Sequence, residues 1–384
     1  MKYDCLVIGA SGMQGRIVVR DLLESKRRVF LADLYREGSE PLLRSHPSIP
    51  FEPVDLRDYS ATLELIQKVD APLVINCAEG DWNIDVYKAC LAAKKHVIDL
   101  GSDIPMTKAQ IAMGPHFERA GLIAITGCGS TPGINNIMLK YAAEFFETMD
   151  TVDAGFAWDS NIKEFVVPFS IESVIEELTE PAPYIERGRW REAAPLETGV
   201  VKKFRGIGSQ KCFIVRHPET YTFQLYYKKD GLKNFHFYAG FPQHSLDVVL
   251  KLIELGFGEK DPIVLDQNKI RPVDAVSRIL ARLNPPEGYT EKEVLWVRIK
   301  GKSINGTSKE MLMECVVPTV PGWESAGCNI DTGMPASIIA QMILDGNIKT
   351  NGSFAPGPAI PAMEFFQELK KRGMKVYQDD ALVC

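Results

Sequence analysis

Between residues 3 and 126, short apolar runs alternate with stretches whose apolar side chains recur every three to four positions, and nothing else in the chain restricts the fold as much. Apolar runs at 3–8, 28–33, 50–55, 72–78, 95–100 and 121–126 have strand length, and 16–24, 60–69, 84–93 and 107–120 carry helical spacing. Within 16–24, for example, Ile17, Val18, Leu22 and Leu23 share one helical face. Strands joined through helices pair in parallel, because a parallel neighbour needs a crossover, and right-handed crossovers cover both faces of the sheet. Burial on two faces is what nearly uninterrupted apolar strands require. The alternation predicts an α/β fold with a doubly wound parallel sheet.

The turn after the first run reads Gly9-Ala10-Ser11-Gly12-Met13-Gln14-Gly15. Residues without Cβ allow a tight turn and close approach of a pyrophosphate, while free N–H groups at the helix start hold the anion. Following a strand, opening a helix and starting the first unit, this turn reads as a Rossmann-type dinucleotide site, with Gly9, Ser11, Gly12, Met13, Gln14 and Gly15 around the diphosphate. Asp33 ends the second strand, where a carboxylate binds the adenosine ribose hydroxyls and repels a 2′-phosphate. NAD is therefore favoured, with NADP possible through Arg36. Asp55 and the stretch Asn76-Cys77-Ala78 fall at the carboxyl ends of the third and fourth strands, where ligands gather in open sheets; Asp55 reads equally well as a helix N-cap.

From about residue 150 the alternation stops. Strand patterns at 152–158, 211–216, 234–239, 294–300 and 309–318 are interspersed with helical ones at 170–178, 245–255 and 273–283. The last two strands flank a turn containing Asn305-Gly306 and read as an antiparallel hairpin, and Phe235, Phe237 and Phe241 alternate as on a half-buried sheet. This predicts a second, α+β domain for substrate binding and for association into a homodimer or larger homo-oligomer. A length of 384 residues suits two domains with a cleft between them. A net charge of −6 argues against nucleic acid as a partner and for a small molecule. The start has no long apolar leader and no apolar run approaches the roughly 18 residues of a membrane span, which makes a cytoplasmic protein the expectation. The eight cysteines form no paired C-x-x-C pattern, so no metal is expected, and Cys5 and Cys77 read as small core residues. The stretches 305–307 and 351–353 read as turns.

Three segments carry a resemblance: Val74-Ile75-Asn76-Cys77-Ala78, His96-Val97-Ile98-Asp99-Leu100-Gly101, and Gly127-Cys128-Gly129-Ser130-Thr131-Pro132-Gly133-Ile134-Asn135-Asn136. Together they resemble the saccharopine dehydrogenase-like family of NAD(P)-linked oxidoreductases, most closely its lysine 6-dehydrogenase branch; the glycine spacing departs from that branch and is shared with saccharopine-type relatives. Residues 170–179, Pro181-Ala182, Gly188, Pro195-Leu196 and His217-Pro218-Glu219 are similar to family segments of the second domain. The resemblance implies that Gly101 and Pro132 also border the cofactor. It further implies that the last helices, patterned at 337–344 and 362–372, return to the first domain, giving 1–128 with about 345–384 as the dinucleotide unit and 129–344 as the α+β unit.

Oxidising an amine requires a neutral nitrogen and hence a general base. His217 is the leading candidate, with Glu219 orienting it or binding an ammonium; the pair reads equally as the ordering of a Pro-containing loop. Asp103, after the fifth strand, is a second ammonium ligand or a loop residue bridging to the next helix. Arg216 and Arg271 are candidate anchors for a substrate carboxylate or solvated surface residues, and Glu324 is a further possible contact. Tyr221, Phe223, Tyr226 and Tyr227 line a pocket or fill a core. These readings lead to an NAD-preferring amino-acid dehydrogenase acting on CH–NH2 or CH–NH, first of all lysine 6-deamination. The alternative is a reductase of the saccharopine or carboxynorspermidine type, which makes a secondary amine from an imine. A catalytically inactive nucleotide sensor is the rival of another class.

Overall fold

The computed structural model of the 384-residue chain describes residues 2–167, 170–265, 267–280, 282–283 and 285–383. The first part runs β1 (Cys5–Ile8), α1 (Met13–Glu24), β2 (Val29–Asp33), α2 (Glu40–Ser45), β3 (Phe51–Pro53), α3 (Tyr59–Lys68) and β4 (Leu73–Asn76). It continues through α4 (Asn83–Ala93), β5 (His96–Asp99), α5 (Ile104–Ala112), α6 (Gly114–Arg119) and β6 (Ile123–Ile125). The helix patterned at 107–120 is two helices, because Pro115 opens the second and cannot continue the first.

The second part comprises α7 (Ile134–Ala143), β7 (Phe146–Ser160), α8 (Ile171–Thr179), β8 (Ala182–Glu186), β9 (Arg189–Ala193), β10 (Gly199–Phe204) and β11 (Gly208–Ile214). After them come α9 (Glu219–Tyr227), β12 (Asn234–Gly240), α10 (Gln243–Glu254), β13 (Ile263–Leu265), β14 (Asn268–Ile270) and α11 (Pro272–Leu280). The hairpin β15 (Glu291–Ser303) and β16 (Ser308–Pro318) follows, then α12 (Ile330–Leu344), β17 (Gly352–Phe354), α13 (Ala362–Lys371), β18 (Lys375–Gln378) and β19 (Ala381–Leu382). The helix expected over 273–283 includes Ala281, and the cysteine reading includes Cys384; both residues lie outside those described.

The first sheet has seven strands in the order β17-β6-β5-β4-β1-β2-β3, all parallel. The six strands read from the periodicity are present, and the seventh comes from the far end of the chain, where 351–353 was expected to be a turn. Short and buried, Gly352–Phe354 covers the β6 edge. The second sheet is mixed, in the order β10-β11-β12-β7-β15-β16-β18-β19, with β8 paired to β12 and β9 to β8. Its centre is the predicted hairpin, registered from Lys292↔Pro318 to Lys302↔Ser308 around Asn305-Gly306. Phe235 and Phe237 are fully buried on β12. Strands β9 and β10 went unread because they lie at an exposed margin and carry lysine and arginine where an apolar alternation would signal a strand.

The C-terminal return differs from the expected one. Helix α12 is apolar all round, so it needs cover on every side, and it packs on α1, β4 and β5 in the first unit. The chain then contributes β17 to the parallel sheet, but β18 and β19 extend the second sheet beside β16. Arg372 ties this tail to α1 by a two-pronged bond to Asp21, Nε to Oδ1 at 2.7 Å and Nη2 to Oδ2 at 3.0 Å. One continuous apolar core runs from a face of the parallel sheet into the second sheet. The two units meet across this core and leave a cleft between them. Among the described residues no helix is long and apolar enough to cross a membrane.

Candidate active site

At the carboxyl edge of the parallel sheet the turn after β1 is shaped by its glycines. Gly9 has φ +77°, and a Cβ there would lie 2.4 Å from the Ala78 nitrogen; a Cβ on Gly15 would lie 2.0 Å from the Gly9 carbonyl. The turn thus folds only with glycine at both places, which brings α1 against the strand end. The start of α1 has no side-chain cap and no acid in its first turn, and the Cβ position of Gly12 meets nothing closer than the Gly9 oxygen at 3.4 Å. A positive helix end left uncapped, with room for close approach, suits the diphosphate of a dinucleotide.

Asp33 accepts hydrogen bonds from the Ser11 amide at 2.8 Å and the Tyr35 amide at 3.4 Å, so the expected ribose ligand sits against the turn it was meant to serve. Ser11 Oγ is held by the Tyr35 carbonyl and Ser39. Arg36, the residue expected to meet a 2′-phosphate, bonds Glu40 through Nε at 2.7 Å. Asp55 is half-buried and clasped by Arg57, and the N-cap of α3 is Asp58, which accepts from Ala61, so the N-cap reading of Asp55 fails. Asn76 is buried, bonding Asn83 and the Ala78 amide, and it shapes the loop after β4 without facing the cleft. Cys77 is half-buried and lines the cleft with Ala78, so it is not the core residue expected. Pro132 packs against Gly101 and Gly127. Behind these loops Asp99 is buried and accepts from Tyr87, Gln110 and the amides of Gly101 and Gly127; burial raises its pKa against those donors. Its position in a quoted motif gave no hint of this bracing role.

The cleft between the units has a volume of about 920 Å³. Met13, Gln14, Cys77, Ala78 and Asp103 line one wall, and Arg216, His217, Arg271 and α8 line the other. The structure therefore brings His217, Arg216, Arg271 and Asp103, each a candidate from the sequence, to one cleft with Met13 and Gln14 of the glycine turn. Glu219 stands behind His217: its carboxylate bonds His217 Nδ1 and is fully buried, and the imidazole stacks on Phe237 with centroids 3.9 Å apart. The ring is thus held in one orientation with its other nitrogen free to work. Asp103 caps α5 by accepting from Met106 and lies 3.9 Å from Arg216. Glu324 is exposed, accepts from the Gly322 amide and does not line the cleft. Phe223 fills core, whereas Tyr226, which accepts from the Ala355 amide, and Tyr227 line a separate hollow away from the cleft.

The largest omission is α8. Glu172, Glu176, Glu177 and Glu180 all face the cleft, joined by Glu79 and Asp81 from the loop after β4. Acids at helical spacing opposite the apolar stripe of Ile171, Val174, Ile175 and Leu178 carried that signal. Lys260 bonds Glu176 and Glu180 at 2.7 Å each, Arg216 bonds Glu180 at 3.1 Å, and Arg271 lies 3.4 Å from Glu172. The Lys260 ammonium holds Glu180 below the usual carboxylate range, whereas burial pushes Glu177, which has no such partner, up to about 8.

A cleft at the carboxyl edge of a parallel sheet, with a diphosphate cradle on one side and an oriented histidine on the other, defines a nicotinamide-dependent oxidoreductase. Residues 5–125 match the saccharopine dehydrogenase NADP binding domain and residues 129–374 the saccharopine dehydrogenase C-terminal domain. The chain belongs to the saccharopine dehydrogenase family, whose NAD(P)-dependent members act on CH–NH groups. It is 24% identical to the carboxynorspermidine synthase of Vibrio alginolyticus, over 91% of this chain and 88% of that protein. It is 25% identical to the carboxyaminopropylagmatine dehydrogenase of Synechocystis, over 91% of both. Its fold matches that of apo saccharopine dehydrogenase (L-Glu forming) from Saccharomyces cerevisiae with a TM-score of 0.76, at 16% identity, over 98% of this chain and 99% of that one.

Proposed function

We propose that the protein catalyses the NAD(P)H-dependent reduction of an imine formed between a primary amine and an oxo compound, giving a secondary amine. The observation that carries this reading is the chemistry of the cleft walls, which hold acids for a polyamine-like partner beside Arg216 and Arg271 for a carboxylate. Lysine deamination needs a carboxylate anchor and one ammonium site; joining an amine to an oxo compound uses both kinds of wall. The names of the two curated relatives support the same choice.

The cofactor supplies the hydride, and the residues of this chain do the rest. Backbone amides of residues 13–15 hold the diphosphate, and Asp33 or Arg36 sets the choice between NAD and NADP. His217, fixed by Glu219 and Phe237, passes a proton to or from the substrate nitrogen. Arg216 leaves Glu180 or Asp103 to meet a carboxylate.

The test is an assay of the purified protein with NADPH or NADH, varying an amine and an oxo compound together. Nucleotide oxidation that requires both is the expected result. Reduction of NAD by lysine alone, with no carbonyl present, would overturn the proposal.

A further inference from the structure

A second hollow, of about 430 Å³, opens where β7 and β12 end, β11 begins and α10 starts. It shares no lining residue with the cleft, and it takes the start of β11 whereas Arg216 of the cleft follows the end of that strand. The 12-residue α10 begins after Pro242 with no side-chain cap and no acid in its first turn. The amides of Ser245 and Leu246 bond the Pro242 carbonyl, but among the described residues those of Gln243 and His244 donate to nothing. Lys163 and Lys211 line the same hollow, and among the described residues neither has an ion pair.

Independently of the helix end, Gln210 on β11 lines the hollow while only 7% exposed. Its Nε2 donates to the Trp158 carbonyl at 2.9 Å, one position beyond the last β12–β7 pair, Gly240↔Ala157. Its Oε1 is buried with no hydrogen-bond partner, and it lies 3.3 Å from where a Cβ on Gly240 would stand, at the point where β12 gives way to α10. Asp159, at the end of β7, spends one oxygen on the Ser160 amide and has no cation beside it among the described residues.

Free amides at a helix start and two unpaired ammonium groups call for an anion. An anion alone leaves the Gln210 oxygen unsatisfied, and a buried acceptor without a donor is costly. A ligand with a carboxylate and an ammonium on one carbon meets both demands. We propose that this hollow binds a free α-amino acid, its carboxylate on the start of α10 with Lys163 and Lys211, and its ammonium on Gln210 Oε1 and Asp159. The site is separate from the cleft and does not rest on the reductase reading.

Calorimetry of the full-length protein with L-alanine, propionate and ethylamine tests the assignment, since each of the last two keeps one charged group of the first. L-Alanine should bind at least about tenfold more tightly than either, as one lost charged hydrogen bond implies. Gln210→Met should weaken L-alanine about tenfold, and Lys211→Met, at an exposed position that tolerates exchange, about fivefold, both with NADPH affinity within about twofold. Arg216→Met, in the cleft, should leave L-alanine affinity within about twofold. Propionate binding as tightly as L-alanine would reduce the hollow to an anion site and overturn the proposal. Unchanged L-alanine affinity in Lys211→Met, or a loss in Arg216→Met that the two hollow variants lack, would overturn it as well, the latter by placing the amino acid in the cleft.

Discussion

Replacing Glu177 by glutamine tests the electrostatics of the cleft wall through stability, with no ligand present. Burial, aided by the neighbouring Glu176 charge, moves the Glu177 carboxyl from an ordinary 4.5 up to about 8. The unfolded chain releases this proton near the lower value and the folded protein near the upper, so the folded state binds more protons in between. Stability therefore falls as pH rises through that window; below it the group costs nothing, and above it the loss is complete. At ~1.4 kcal/mol per pH unit the displacement corresponds to about 5 kcal/mol. One oxygen is fully buried but the residue as a whole is half-buried, and water screening reduces the figure to roughly 2–3 kcal/mol. Glutamine keeps the shape and does not titrate, while Glu293 and Asp331 contribute to both proteins and largely cancel in the difference. Urea denaturation of the two proteins from about pH 5 to about pH 9 should show the variant gaining about 2–3 kcal/mol on the native chain across the range. A difference that stays constant with pH would refute the claim that Glu177 is an uncompensated buried acid.

Arg372→Met strands the buried Asp21 carboxylate and should cost about 3–5 kcal/mol in urea denaturation, with part recovered by adding Asp21→Asn. Gly15→Ala places a methyl 2.0 Å from the Gly9 carbonyl and should abolish NADPH binding in a fluorescence titration, whereas Gly12→Ala should fold normally and bind more weakly. Asp33→Ser removes the charge that opposes a 2′-phosphate and should raise affinity for NADPH relative to NADH about tenfold, read by competitive titration. His217→Asn should lower kcat in the reductive assay by about 10²–10⁴ with little change in the amine KM.

The parallel sheet was legible because its signals are local. Six apolar runs spaced by helical stretches imply crossovers, and a glycine turn between the first strand and helix implies an anion site, whatever the remainder of the chain does. The seventh strand was not legible: Gly352–Phe354 is too short to signal itself and is a strand only because β6 has an open edge beside it. Likewise β18 looks no different from a frayed tail until β16 is there to pair with it. Ionisable residues were the hardest to place. Arg216, His217 and Arg271 were picked by residue type and do reach the cleft, but Glu324, also picked without a strand end to place it, accepts from the Gly322 amide away from the cleft, and Asp55, picked from its place after the third strand, is clasped by Arg57.

What the residue order determined by itself was the dinucleotide half: period, apolar runs and glycine positions are properties of neighbours along the chain, and they suffice for a sheet and its phosphate turn. Only the tertiary structure decided which acids share the cleft and which lack a cation. Glu177, Glu293 and Asp331 lie on three separate elements, and each in the sequence is an ordinary carboxylate. Packing buries Asp331, leaves Glu293 and Glu177 partly buried, and sets the arginines and lysine against Glu172, Glu176 and Glu180 instead. A charge's energy depends on what surrounds it in space, and that is settled only when distant segments meet.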